Sequence, residues 1–344
     1  MAADLRVLLD ATPLLGPRTG IGRYTASLVG ALASDVDVRL IGFSARAWRR
    51  LRTEAPAGTH VVGPPIPARA LRMLWRGGRF PPVELLSGSV DVVHGTNFVL
   101  PPSVRAAGVV TVHDLAFLDD PSLADEDLPA LVRLSAERAR VVCTPTAAVA
   151  DQVAERLDVP PEKLAVTPLG VDPGWFSAAP VSGGQVPPEY LLFVGAEGPR
   201  KGLDVLRSAL APDLPPLVIA GPGTAGEVDG VIRTGYLSDE GLRGLVAGAS
   251  ALVMPSRDEG FGLPVLEALA CGVPVVCSDL PALREVAASH AVFAPAEDPA
   301  ALREALRRAL AAPPDAEAGR AHAKSFSWEH CASRTHAAYL RAVA

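Results

Sequence analysis

Lysine is nearly missing from this 344-residue chain: Lys163, Lys201 and Lys324 stand against 29 arginines, a bias of coding composition rather than of function. Cysteine is scarce too. Cys143, Cys271, Cys277 and Cys331 make no C-x-x-C pair and no metal-ligand spacing, which excludes a disulfide scaffold and a zinc module. Three of them sit in apolar runs as small buried residues, which fits a reducing cytoplasm. No stretch reaches the roughly 18 uninterrupted apolar residues of a spanning helix; the longest candidate, residues 261–277, contains Glu267 and two prolines. The first ten residues place Asp4 and Arg6 directly before a strand, so a signal peptide is not expected there and a cytoplasmic protein is. Positive charge is not in excess. The net charge is −6, with 18 basic and 18 acidic residues up to position 170 and 14 and 20 beyond it. A nucleic-acid binder that works by neutralising phosphates is thereby disfavoured. Internal repeats, low-complexity tracts, and Ser-His-Asp or Cys-His arrangements are also missing.

What is present is ample apolar material: 49% hydrophobic residues and a mean hydropathy of +0.25, enough for two domains. Short β-branched runs alternate with longer helical patterns, the signature of parallel α/β units. Strands are expected at residues 5–9, 36–42, 90–94, 109–112, 141–144 and 164–167, and again at 190–194, 216–220, 231–234, 251–254, 273–277 and 291–293. Between the series, residues 169–188 are rich in proline and glycine and lack periodicity, the composition of a linker. The expected domains are 1–170, a hinge at 171–188, a second domain at 189–326, and a C-terminal helix at 327–344.

The most informative stretch runs from Pro255 to Pro274, P-S-R-D-E-G-F-G-L-P-V-L-E-A-L-A-C-G-V-P. An apolar strand ends in a loop holding Glu259, Gly260 and Gly262, and Pro264 opens a helix carrying Glu267. The amides of Gly262 and Leu263 then leave a helix N-terminus, where an anion is favoured. Carboxylates accept from sugar hydroxyls and amides donate to phosphate. The ligand that needs both is a nucleotide sugar.

Glu259 and Glu267, with G-F-G-L-P-V-L between them, resemble the paired-glutamate signature of the retaining glycosyltransferases of family 4. The segments V-V-C-T-P-T-A-A-V-A-D-Q-V-A and Y-L-L-F-V-G-A-E-G-P-R-K-G-L extend the resemblance over nearly the whole chain. The implied fold is α/β of the GT-B type: two Rossmann-like doubly wound domains facing across a cleft, acceptor on the first and donor mainly on the second, with the last helix, 327–344, returning to the first domain. The implied reaction is front-face transfer of a hexosyl group, without a divalent metal or other cofactor. The acceptor hydroxyl would belong to a glycan, a lipid-linked molecule or a small molecule. V-H-D-L at residues 112–115 most resembles the bacterial mannosyltransferase branch, which makes GDP-mannose the first donor to consider.

Carried over residue by residue, the resemblance puts His113 near the reacting carbon of the donor sugar and Arg200 and Lys201 on the diphosphate. It puts Glu259 on the sugar hydroxyls, Glu267 on the ribose, and Tyr236 and Leu237 at the base. Phe261, Gly262 and Leu263 would give backbone contacts. Gly20 and Gly22, with Gly16 and Pro17 nearby, would form a glycine loop approaching the diphosphate or the acceptor. Each has a plainer alternative: an ordinary turn for Gly20 and Gly22, a buried cap for His113, a solvated basic turn for Arg200-Lys201, core packing for Tyr236, and a first-turn carboxylate for Glu267. His94 either lines the acceptor side or anchors a loop, and Glu197 has no clear role. Residues 69–79 (R-A-L-R-M-L-W-R-G-G-R) form a basic amphipathic helix of the first domain that could also touch a membrane surface. Asp125-Glu126-Asp127 reads as a solvated acidic loop. The rival readings are a non-catalytic nucleotide-sugar-binding scaffold and a GT-B epimerase or phosphorylase.

Overall fold

The computed structural model describes residues 5–16, 19–44, 47–180, 186–228 and 230–344; Asp4, Pro17 and part of the expected hinge lie outside them. The chain divides into two compact units, residues 1–170 with 328–344, and residues 171–327.

The first unit is built on seven parallel strands: β1 (Arg6–Asp10), β2 (Asp37–Ile41), β3 (Thr59–Val61), β4 (Val92–Gly95), β5 (Ala107–Thr111), β6 (Val141–Thr144) and β7 (Leu164–Val166). Their order is β3-β2-β1-β4-β5-β6-β7. The central strands are valine- and leucine-rich, and β4 and β6 are buried at every position, as a sheet covered on both faces requires. The helix Trp328–Val343 returns to this unit. Its buried residues Trp328, Cys331, Ala332, Thr335, Ala338, Tyr339 and Ala342 form a stripe at helical spacing, which packs on the helix Gly20–Leu32 and on β5 to β7.

The second unit repeats the plan with β8 (Leu191–Val194), β9 (Leu217–Ala220), β10 (Gly226–Val228), β11 (Val231–Gly235), β12 (Ala251–Met254), β13 (Val275–Ser278) and β14 (Val292–Ala294). The order is β10-β11-β9-β8-β12-β13-β14, with only the edge pair β10–β11 antiparallel. Residues 171–180 belong to this unit: the Val171 amide donates to Phe326 O at 3.0 Å and Trp175 is buried.

In both sheets the strand order reverses beside the first strand, between β1 and β4 and between β8 and β12. Ligands of doubly wound sheets bind outside the carboxyl ends of the strands at that switch point. The loops after β1, β4, β8 and β12 are therefore where chemistry belongs.

Candidate functional site

In the second unit, the loops after β8 and β12 are held together by a glycine. Gly202 has φ +64°, and a Cβ placed on it would stand 2.0 Å from Pro255 O. Only glycine allows both the left-handed backbone and the close approach. The seam continues with Arg257, whose amide donates to Arg200 O at 2.8 Å. The Arg257 guanidinium forks onto Asp204 at 2.9 and 2.7 Å, and it also reaches Glu297 at 2.8 Å and Pro199 O at 2.5 Å.

This seam brings Lys201 Nζ to 2.5 Å from Glu259 Oε1, which also accepts from Ser256 Oγ at 2.7 Å. Arg200 Nη1 lies 3.8 Å from Glu259 Oε2 and donates to Asp258 O at 3.2 Å. The Glu259 side chain is 7% exposed, those of Lys201 and Arg200 20% and 24%. Burial alone would raise the Glu259 pKa, but the charges of Lys201 and Arg200 and the bonds from Lys201 and Ser256 outweigh it and hold the carboxyl below its ordinary value. Two cations against one carboxylate leave a net positive, solvent-reaching pair above a buried acid. Such a pair can hold a diphosphate and stabilise the charge that grows on it as it leaves.

Gly262, at φ +93°, precedes the helix Leu263–Cys271, and a Cβ there would come within 2.6 Å of Leu283 Cδ2. The helix starts at Leu263, one residue before Pro264. Glu267 consequently lies past the first turn, and the dipole explanation for it is set aside. It is 1% exposed in a helix whose residues Val265–Cys271 are all buried. Phe261 is buried with its ring edge-on to Phe326 at 6.0 Å, so only its backbone is offered to a ligand. Tyr236 is 63% exposed after β11, which overturns core packing for it. Leu237 is half-buried. β11 lies two strands from β8, about 10 Å at the usual strand spacing. Glu197 pairs instead with Arg233, at 2.7 and 3.3 Å.

In the first unit His113 follows β5. Its Nε2–H donates to Thr96 O at 2.9 Å, and its ring sits edge-on to Tyr24 and Phe98 at 4.8 and 5.6 Å. Burial lowers its pKa, so the ring is neutral at pH 7 with Nδ1 as an acceptor. His94 is fully buried between Tyr339 Oη at 2.7 Å and Thr111 Oγ1 at 2.8 Å. Burial pushes its pKa down to about 3. It anchors the last helix to the sheet and lines no ligand surface. Gly22 N–H is taken by the capping Thr19 Oγ1 at 3.2 Å, and Gly20 is exposed with nothing within 4 Å of a Cβ.

One residue of this switch point is not singled out by the sequence. Asp10 ends β1, and its Oδ1 accepts from the Thr12 amide at 2.9 Å and the Thr12 hydroxyl at 2.5 Å. Burial, only partly offset by Thr12, pushes its pKa up to about 6. Thr96 Oγ1 donates to Asp10 O at 2.6 Å, linking Asp10 through Thr96 to His113. The signal for it is an aspartate at the carboxyl end of a first strand.

Two family models match the chain: a glycosyl transferase 4-like domain over residues 19–170 and glycosyl transferases group 1 over residues 188–312. Among curated relatives, the O-antigen chain mannosyltransferase B of Escherichia coli is 28% identical over 97% of this chain and 99% of its own length. Among solved structures, the sucrose-phosphate synthase of Thermosynechococcus elongatus superposes with a TM-score of 0.76 at 20% identity, covering 98% of each chain. An Anabaena protein, HepE, in complex with UDP and glucose superposes with a TM-score of 0.69 at 15% identity, over 97% of this chain and 98% of the other. The chain belongs to the family 4-like glycosyltransferases, with the GT-B fold.

Proposed function

We propose that the protein is a retaining mannosyltransferase that moves mannose from GDP-mannose to an acceptor hydroxyl on a glycan, a lipid-linked molecule or a small molecule. The observation that carries this reading is the Arg200–Lys201–Glu259 cluster at the β8–β12 switch point. Arg200 and Lys201 bind the diphosphate, which makes a divalent metal dispensable. Glu259, held ionised, accepts from the hydroxyls of the donor sugar, and Glu267 from the ribose. Tyr236 and Leu237 hold the base, while the backbone of Phe261, Gly262 and Leu263 meets sugar and phosphate. The family resemblance assigns His113 to the sugar and the turn at Gly20 and Gly22 to the diphosphate or the acceptor.

The acceptor oxygen attacks the anomeric carbon on the face from which the diphosphate departs. The new C–O bond forms as the C–O bond to phosphate breaks, and a leaving phosphate oxygen takes the acceptor proton. The configuration is retained, and the side chains contribute positioning and charge stabilisation. The choice of mannose is supported by the name of the Escherichia coli relative. The neighbour with UDP and glucose supports a nucleotide-sugar donor in general.

The test is turnover of GDP-mannose and of UDP-, ADP- and dTDP-sugars, with the released or transferred sugar followed by NMR at its anomeric proton, in buffer containing EDTA. Release of α-mannose at first formation supports the reading. β-Mannose contradicts retention, loss of turnover in EDTA contradicts the metal-free mechanism, and turnover of another nucleotide sugar alone replaces the donor.

A further inference from the structure

The donor site makes no use of the helix Ala68–Gly77 or of the segment that continues from it. From residue 55 to residue 83 the sequence has no aspartate or glutamate, yet it carries Arg69, Arg72, Arg76 and Arg79. Only one edge of the helix is packed. Leu71 and Trp75 are buried, Trp75 edge-on to Phe43 at 5.3 Å with its indole N–H on Pro81 O at 3.1 Å. Met73 and Leu74 are 69% and 53% exposed, Phe80 71% and Leu85 67%. Val104, also exposed, is tied to the same place, because its amide donates to Glu84 Oε1 at 2.9 Å. Five of the nine exposed large hydrophobic side chains among the described residues thus lie within 73–104. Arg69, Arg72 and Arg76 recur at i, i+3 and i+7, on the flank beside Met73. Asp125, of the acidic loop Asp125-Glu126-Asp127, pairs with Arg72 at 2.9 Å, and Glu84 accepts from the amides of Val104, Arg105 and Ala106.

A basic helix with bare methionine, leucine and phenylalanine side chains has the chemistry of a bilayer interface. Trp75 packs on Phe43, just beyond the carboxyl end of β2, and Asp10 feels the charge of Arg72. The helix therefore lies at the carboxyl edge of the first sheet, the edge that carries Asp10 and His113. No helix among the described residues is long and apolar enough to cross a membrane.

We infer that the face made by Met73, Leu74, Phe80 and Leu85 with Arg69, Arg76 and Arg79 docks onto an anionic lipid bilayer and offers this edge of the unit to a lipid-borne acceptor. The acceptor half of the inference rests on the transferase reading; the docking half does not.

The test is co-sedimentation of the full chain with vesicles of phosphatidylglycerol and phosphatidylcholine, against phosphatidylcholine alone. Binding is expected on the anionic vesicles, lost in high salt. It should weaken about tenfold or more in the Arg76→Glu/Arg79→Glu double variant and similarly in Met73→Glu/Leu74→Glu. Val343→Glu, at an exposed apolar position elsewhere, should bind as wild type, and unchanged Tm values certify the fold. Equal binding to both vesicles, no binding, or full binding by both double variants overturns the proposal. So does a wild-type dimer that Met73→Glu/Leu74→Glu splits without any vesicle binding, which makes the face a contact between copies. Donor turnover without vesicles, measured on the same samples, separates the two readings. A wild type that turns over donor but binds no vesicles overturns docking alone, and a wild type that binds vesicles but turns over no nucleotide sugar overturns the transferase reading.

Discussion

Glu259 is a carboxylate that burial would neutralise and two cations keep charged. Its pKa lies below the ordinary value. Its contribution to stability is therefore present above the ordinary carboxylate range and is lost as pH falls through the depressed value. Lys201→Met removes the cation with the largest opposing effect, so the acid-side loss of stability should move to higher pH in thermal melts, and donor turnover should fall on the order of 10²–10³-fold. A turnover within twofold of wild type would remove Lys201 from the leaving-group role. Asp10 has the opposite sign. Its pKa is raised to about 6, so the stability it confers is complete below the ordinary range near 4 and is lost as pH rises through about 6. Asp10→Asn keeps an oxygen for Thr12 and should stabilise the protein on the order of 1–3 kcal/mol at pH 7 to 8, with no gain near pH 4. A gain that does not change with pH would show that the Asp10 charge is not the cause.

At the scale of elements, the seam between the β8 and β12 loops decides where Lys201 and Glu259 meet. Gly202→Ala meets Pro255 O and a positive φ together, and should cost several kcal/mol or prevent folding. Gly198→Ala, with nothing within 4 Å of its Cβ, should leave Tm nearly unchanged. Equal Tm values for the two variants would contradict the seam. Tyr339→Phe leaves His94 Nδ1 without its partner on the last helix, an expected loss of about 1–3 kcal/mol in urea unfolding. The central strands were legible because buried parallel strands are uninterrupted apolar runs. The short edge strands Thr59–Val61 and Gly226–Val228 were not, because their composition shows neither alternation nor an apolar run. The helix Ala316–Lys324 is not legible for a related reason: alanine, glycine and charged residues give it no apolar stripe.

For the molecule as a whole, residues 327–344 read as a helix in the sequence; periodicity does not say which unit it covers, although the family resemblance implies the first. The structure gives the answer through Tyr339 on His94 and Trp328 beside Tyr24, 6.4 Å between rings. The Arg200–Lys201–Glu259 cluster was legible because its residues sit in two contiguous motifs, each at the end of a strand. Asp10 was not, because a single aspartate after a strand becomes informative only when the switch point links it through Thr96 to His113. The transferase reading stands or falls on whether the β8–β12 switch point holds the diphosphate of a nucleotide. Calorimetric titration of GDP into the wild type and Lys201→Met measures that binding. Saturable binding to the wild type is expected, and at least about tenfold weaker binding to the variant. Equal affinity for both, or none for any nucleoside diphosphate, would contradict it.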